Sequence, residues 1–348
     1  MNIGGEFEIR KKDYSKNFHP IGKTLSNLDN NFTINGISSF NQILISLKKK
    51  INKIYIPAFI CESLLLPIKK NKIQYEFYKI DKNFSSKFIP KKNSAILIIH
   101  YFGIQNPLLN YLLKKNKNNF HIIEDCSHLY LNDNFKFEKK KNLFFFSLRK
   151  HGSIGAGGWS NIDYNLNKKI TYKKDLLKNL SIRKQKQILI EKKSYQKNEI
   201  YFLNEFKKIK IFYEKKISYN KIENNFLKMN FSYKWTDIIK KRIRNWEILD
   251  KYIKKKFNKV VKKVNINQVP LGYIILTKKR DKLLKYLKSK RIFCSIHWPL
   301  SKEVNLKKFK YEKKLADEIL TIPIDQRYGY RDMEYIGNIL KSINIKQL

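Results

Sequence analysis

Five short apolar runs separated by helical stretches constrain this chain more than any other feature. KIYIPAF (53–59), IQYEFYKI (73–80), SAILIIHYF (94–102), NFHIIEDC (119–126) and NLFFFSL (142–148) are strand-length and rich in Ile, Phe and Tyr. ICESLLLPIKK (60–70) and NPLLNYLLKKN (106–116) lie between them with helical spacing, and ISSFNQILISLKKK (37–50) has the same 3.6-residue period upstream. Strand and helix in alternation predict a largely parallel sheet covered on both faces by helices. Ligands of such sheets gather at the carboxyl ends of the strands.

The second half reads differently. From about 165 to 228, apolar positions such as Leu189, Ile190, Tyr201, Phe202, Phe206 and Ile211 recur among lysines, which predicts long amphipathic helices. WTDIIKKRIRNWEILDKYIKKKF (235–257) is a further helix. Strands at PLGYIILT (270–277), RIFCSIHWPL (291–300) and ILTIPID (319–325) alternate with helices at DKLLKYLKSK (281–290) and DMEYIGNILKSI (332–343). A chain of 348 residues can hold two units of this kind. The expected organisation is a large domain over 1–234 and a small C-terminal α/β domain over 235–348.

Composition removes several functions. Lys and Arg number 74 against 29 acids, a formal charge of +45, yet nine of the 74 are arginine, the residue suited to bidentate phosphate contacts. The lysines run through the whole chain, and Asn and Ile are inflated with them, as AT-rich coding produces. No specific nucleic-acid partner is expected. The three cysteines, Cys61, Cys126 and Cys294, are far apart and form no CxxC pair, and the six histidines show no HxH or HExxH spacing. That argues against a disulfide framework and against a metal site. No apolar run reaches membrane-spanning length, and MNIGGEFEIRKK lacks a signal core, so a cytoplasmic protein with no membrane partner is expected.

The chemistry-bearing residues fall at strand ends. Asp125 closes the run IIED; Lys150 follows FFFSLR and precedes a turn with Gly155, Gly157 and Gly158. A carboxylate, an amine and a Gly-rich turn are what pyridoxal 5'-phosphate (PLP) chemistry needs. The acid keeps the pyridine nitrogen protonated and the amine attaches the cofactor. Asn35 and Gly36, just before a helix, form an anion-holding entry.

Eight segments carry a resemblance in order along the chain. They are NGISSFNQIL (35–44), IYIPAFICESLLLP (54–67), FYKIDKNF (77–84), IIHYFG (98–103), IIEDCSH (122–128), FSLRKHGSIGAGG (146–158), IHWPL (296–300) and LTIPIDQRYGYRDM (320–333). On these the chain resembles the DegT–StrS family of fold-type-I PLP enzymes, mostly sugar aminotransferases.

The resemblance implies that Lys150 holds the cofactor and moves a proton, and that Asp125 pairs with the pyridine nitrogen. His128 takes a position usually held by glutamine, in reach of the cofactor or substrate. The phosphate is expected on Gly36, Ile37 and Ser38, with Ser147 as a hydroxyl donor, three residues before the lysine where the family's serine lies five before it. Cys61 stands where relatives often stack an aromatic on the cofactor ring, a role open here to Phe59 or Tyr101. His297 and Trp298 are candidates for the substrate pocket, Asp325 for a helix cap and Arg327 for a substrate anion. The implied activity is transfer of an amino group from glutamate to a keto group of a nucleotide-linked sugar, in a homodimer. The alternative is a catalytically altered relative, either a non-catalytic regulator or a sugar dehydratase, in which histidine replaces the lysine. His151 makes that register a question for the structure.

Overall fold

The structure, a computed structural model, describes residues 2–26, 32–115, 119–131, 142–152, 156–162, 172–217, 222 and 224–344. In chain order it forms β1 (Ile3–Gly4), α1 (Pro20–Ser26), β2 (Phe32–Thr33), α2 (Gly36–Leu47), β3 (Lys53–Pro57), α3 (Leu65–Lys70), β4 (Gln74–Tyr78) and β5 (Ser94–Ile99). Then come α4 (Leu108–Lys115), β6 (Phe120–Asp125), β7 (Leu143–Ser147) and β8 (Gly158–Ser160). Helices α5 (Lys173–Glu191), α6 (Glu199–Lys215), α7 (Asn224–Ser232) and α8 (Trp235–Ile253) follow. The chain continues through β9 (Asn258–Lys259), β10 (Tyr273–Leu276), α9 (Arg280–Ser289), β11 (Ile292–Phe293), α10 (Lys310–Glu318), β12 (Ile319–Ile322) and α11 (Tyr330–Ser342).

The main sheet has seven strands in the order β2-β8-β7-β6-β5-β3-β4. The five strands from β4 to β7 pair in parallel, as the alternating pattern predicts, while β8 and β2 add antiparallel at one edge. Every residue of β5 is buried, so its apolar run shows no alternation, as a strand covered on both faces requires. Edge strand β4 exposes Gln74 and Glu76. A second sheet, β12-β10-β9, is antiparallel, and β1 pairs with β11 in parallel. No helix among the described residues is long and apolar enough to cross a membrane.

One expected strand is shorter than its apolar run. Of RIFCSIHWPL only Ile292–Phe293 is a strand, followed by a lone bridge from Ser295 to Thr321. Pro299 has no N–H for a ladder, and His297 and Trp298 leave the sheet edge to line a cavity.

Gly158 makes a close backbone approach at the antiparallel edge of the main sheet. A Cβ there would fall 2.1 Å from Asn35 O and 2.7 Å from Gly36 N. The neighbouring Gly157 donates its N–H to Ile34 O (3.0 Å) and accepts from Leu148 N–H (2.9 Å). The returning strand therefore lies directly beside the start of α2 and the turn that follows β7. Gly155 lies outside the described residues. Gly158→Ala is expected to lower the urea unfolding free energy by about 1–3 kcal/mol through overpacking; unchanged stability would show that the two backbones separate freely.

Candidate active site

The carboxyl ends of β6 and β7, the start of α2 and part of the C-terminal stretch enclose a cavity of about 1070 Å³. Asp125, Ser147, Lys150, Gly36, Ile37 and Cys61 all line it. Ser38, Tyr101 and His128 do not. The Ser38 N–H is taken by the Asn35 side chain at 2.8 Å, which caps α2, and the Tyr101 hydroxyl donates to Phe59 O at 2.6 Å inside an aromatic cluster. Cys61 Sγ lies 3.1 Å from Ser63 Oγ.

A single 3-10 turn, Leu148–His151, sends consecutive side chains in opposite directions. Lys150 enters the cavity. His151 is fully buried, edge-on to Tyr130 (4.3 Å between ring centres) and Trp235 (5.8 Å), and its carbonyl accepts from Gln326 Nε2 at 3.0 Å. The lysine, not the histidine, therefore faces the cavity.

Lys150 Nζ stands 3.3 Å from His128 Nε2. On the other side of the imidazole, Phe102 donates its backbone N–H to His128 Nδ1, also at 3.3 Å. An Nδ1 that accepts leaves the ring proton of a neutral imidazole on Nε2, and Lys150 Nζ accepts that N–H only as the uncharged amine. Burial, and then the charge of Lys150 and the neighbouring imidazoles His297 and His151, hold His128 well below its ordinary pKa. To aim its amide, Phe102 adopts φ 57°, ψ 23°, a left-handed conformation costing a bulky residue about 1–2 kcal/mol. Trp298 stacks on the His128 ring with centres 5.3 Å apart, and its own ring lies 5.9 Å from Lys150 Nζ. His297 bonds Thr321 Oγ1 through Nδ1 at 2.9 Å; burial first, then Lys150, push its pKa down to about 3.

Asp125 and Glu124 point to opposite faces of β6, as strand geometry requires. Asp125 Oδ1 accepts from Ser127 N–H at 2.8 Å. Glu124 is held away from the cavity by His100 Nε2 at 2.9 Å and Asn142 Nδ2 at 3.3 Å.

The expected roles of Asp325 and Arg327 change. Arg327 donates to both oxygens of Asp325 (2.8 and 2.9 Å), to Glu8 (3.3 Å) and to the carbonyls of Gly5 and Glu6, so its guanidinium is already engaged. Asp325 serves this pair, while α11 is capped by Asp332, which accepts from Gly329 N–H at 2.8 Å. Burial alone would raise the Asp325 carboxyl; the adjoining Arg327 outweighs it and holds the pKa below the usual range. Sequence reading also missed the wall made by residues 2–12, because Glu6 and Glu8 gain meaning only through Arg183 (3.0 Å) and Lys186 (3.2 Å) on α5.

No protein-family model matches the sequence, and no curated protein matches it. Solved structures match the fold over its whole length. Spr1654 from Streptococcus pneumoniae, a candidate sugar aminotransferase in its PLP form, superposes with a TM-score of 0.69 at 12% identity over 100% of both chains. PseC from Helicobacter pylori, an aminotransferase involved in the biosynthesis of pseudoaminic acid, gives 0.65 at 13% over 98% of each. A DegT DnrJ EryC1 StrS aminotransferase from Brucella abortus gives 0.61 at 15%, over 95% of this chain and 91% of that one. The chain has the fold of the type I PLP aminotransferases, in agreement with the α/β arrangement and the resemblance read from its sequence.

A buried neutral imidazole has a measurable consequence. Below the ordinary His128 pKa of 6.5 the unfolded chain binds more protons than the folded one, so stability falls as pH drops through that value towards the lowered folded pKa. Urea unfolding at pH 7 and pH 5 is expected to show the loss, and His128→Gln to reduce it. Equal pH slopes in the two proteins would rule the neutral imidazole out.

Proposed function

We propose that this chain is a PLP-dependent aminotransferase acting on a keto group of a nucleotide-linked sugar, with glutamate as amino donor and a homodimer as the working assembly. The observation that carries this reading is the shared cavity of Lys150 and Asp125, at adjacent strand ends beside the start of α2. The residues present fit the cofactor. Asp125 offers a carboxylate, Lys150 an amine, and Gly36 and Ile37 first-turn N–H groups without helical partners. Ser147, 5% exposed, adds a hydroxyl without a hydrogen bond among the described residues.

When bound, PLP supplies a protonated pyridine ring that draws electrons from a bond at the substrate's reacting carbon. Asp125 is the group to keep that ring nitrogen protonated, its carboxylate already oriented by Ser127 N–H. Lys150 Nζ is the atom to hold the cofactor and to carry the proton. His128 orients it through the Nε2 contact, and Trp298 shields the same atom from water. Orientation of Lys150 into the cavity and of His151 into the core favours aminotransfer over a dehydratase built on histidine.

Purified protein is expected to be yellow and to retain its cofactor after borohydride reduction. Lys150→Ala removes that retention and lowers amino transfer on the order of 10²–10⁴-fold. Asp125→Asn keeps some PLP but loses activity on the order of 10²–10³-fold. A colourless protein that takes up no added PLP, or a fully active Asp125→Asn variant, contradicts the proposal.

A further inference from the structure

Arg149, next to the lysine, has no carboxylate within ion-pair distance among the described residues. Arg149 lines the same cavity, its guanidinium stacked at 4.6 Å on the Tyr213 ring, and its buried Nε has no hydrogen-bond partner among the described residues. The other cavity arginines are engaged. Arg10 forks onto Asp13 (2.6 and 3.0 Å), Arg242 donates to Gln326 Oε1 (3.0 Å) and Leu271 O (2.9 Å), and Arg327 is held by Asp325 and Glu8. Glu6, whose carboxyl feels the Arg149 charge, bonds instead to Arg183 at 3.0 Å. A cation left unpaired in a part-enclosed site is costly unless a ligand supplies the counter-charge.

The surroundings define what that ligand is. Tyr213 fixes both sides of the corner: its ring carries Arg149, and its carbonyl accepts from Asn35 Nδ2 at 3.1 Å, the residue that caps α2. Across the same corner Ser147 packs so closely on Gly36 that a Cβ at Gly36 would lie 2.8 Å from the serine Cβ. Ser147 is buried, and it lines the cavity together with Gly36 and Ile37. Helix N-terminus, hydroxyl and planar guanidinium can all donate to an anion.

We propose that Arg149 is the phosphate-binding cation of this site, pairing with the phosphate monoester of the cofactor at the first turn of α2. The assignment rests on the PLP reading. Arginine suits it because its fork reaches two phosphate oxygens at once. In a chain whose cations are mostly lysine, it is a residue type with a specific geometric use.

The test separates the two readings. Full-length protein freed of cofactor is titrated with PLP and with pyridoxal, the same aldehyde without phosphate. Arg149→Gln is expected to weaken PLP binding about 10- to 100-fold, the range for a charged hydrogen bond, and to leave pyridoxal binding within about twofold. Arg149→Lys, with charge but no fork, is expected to fall between. Inorganic phosphate is expected to raise the melting temperature of the cofactor-free wild type, and not of Arg149→Gln. Equal losses for PLP and pyridoxal, or wild-type binding of PLP no tighter than pyridoxal, overturn the assignment. So does a variant that loses affinity for a nucleoside diphosphate alone, which would give the cation to the substrate. If wild type binds neither aldehyde, the PLP reading fails, and the phosphate-dependent melting shift alone then decides for or against Arg149 as an anion site.

Discussion

Two backbones pass at Gly158 and Asn35 with no room for a side chain between them, and the site depends on that crossing. It brings β8 against the entry of α2, and through Gly157 it ties both to the turn after β7. It is one of the contacts that fix the first turn of α2 against Ser147 and Lys150, together with the packing of Ser147 on Gly36. Strand pairing supplies the remaining coordinate, since β6 and β7 are in register and set Asp125 opposite Phe145, two residues before Ser147. The geometry is thus made by main-chain contacts, and side chains only occupy positions already set.

Around Lys150 the electrostatics work by exclusion. Three imidazoles, His128, His151 and His297, approach the lysine, and all three are held below the ordinary histidine pKa, each primarily by burial. Neutral imidazoles add no competing positive charge to a site that already contains Lys150 and Arg149. The strained turn at Phe102 belongs to the same arrangement, because its amide decides which nitrogen of His128 carries the proton.

Much of this was legible in the sequence, and the limits have physical causes. The strands β3 to β7 were readable as apolar runs of strand length, and the helices between them by their 3.6-residue apolar spacing. Asp125 and Lys150 were readable because strand ends in a parallel sheet are where ligands lie. The edge strands β2 and β8 were not, since two or three residues carry no periodic signal. Ser38 and Tyr101 occupy suggestive positions in the chain, but a helix cap and a backbone carbonyl claim their polar groups. Arg149 gave no sign in one dimension, because its distinction, the lack of an ion pair among the described residues, shows only in three. Arg327 is the reverse case: its local sequence invites a ligand, and residues 320 positions away satisfy it.

The segment from Ile3 to Asp13 has a mechanical meaning. It begins as a strand on β11, passes its carboxylates between α5 and Arg327, and ends with Asp13 gripped by Arg10. The segment is fastened by its pairing with β11, by the ion pairs of Glu8 with Lys186 and Arg327, and by Arg10 donating to Gln326 O at 3.2 Å. Freeing Glu8 would leave Lys186 short of its carboxylate partner in the interior, a loss of about 3–5 kcal/mol. On this side the cavity therefore behaves as a rigid gauge, and the dimensions of what it admits are set by ion pairs that salt in the surrounding solution screens only weakly.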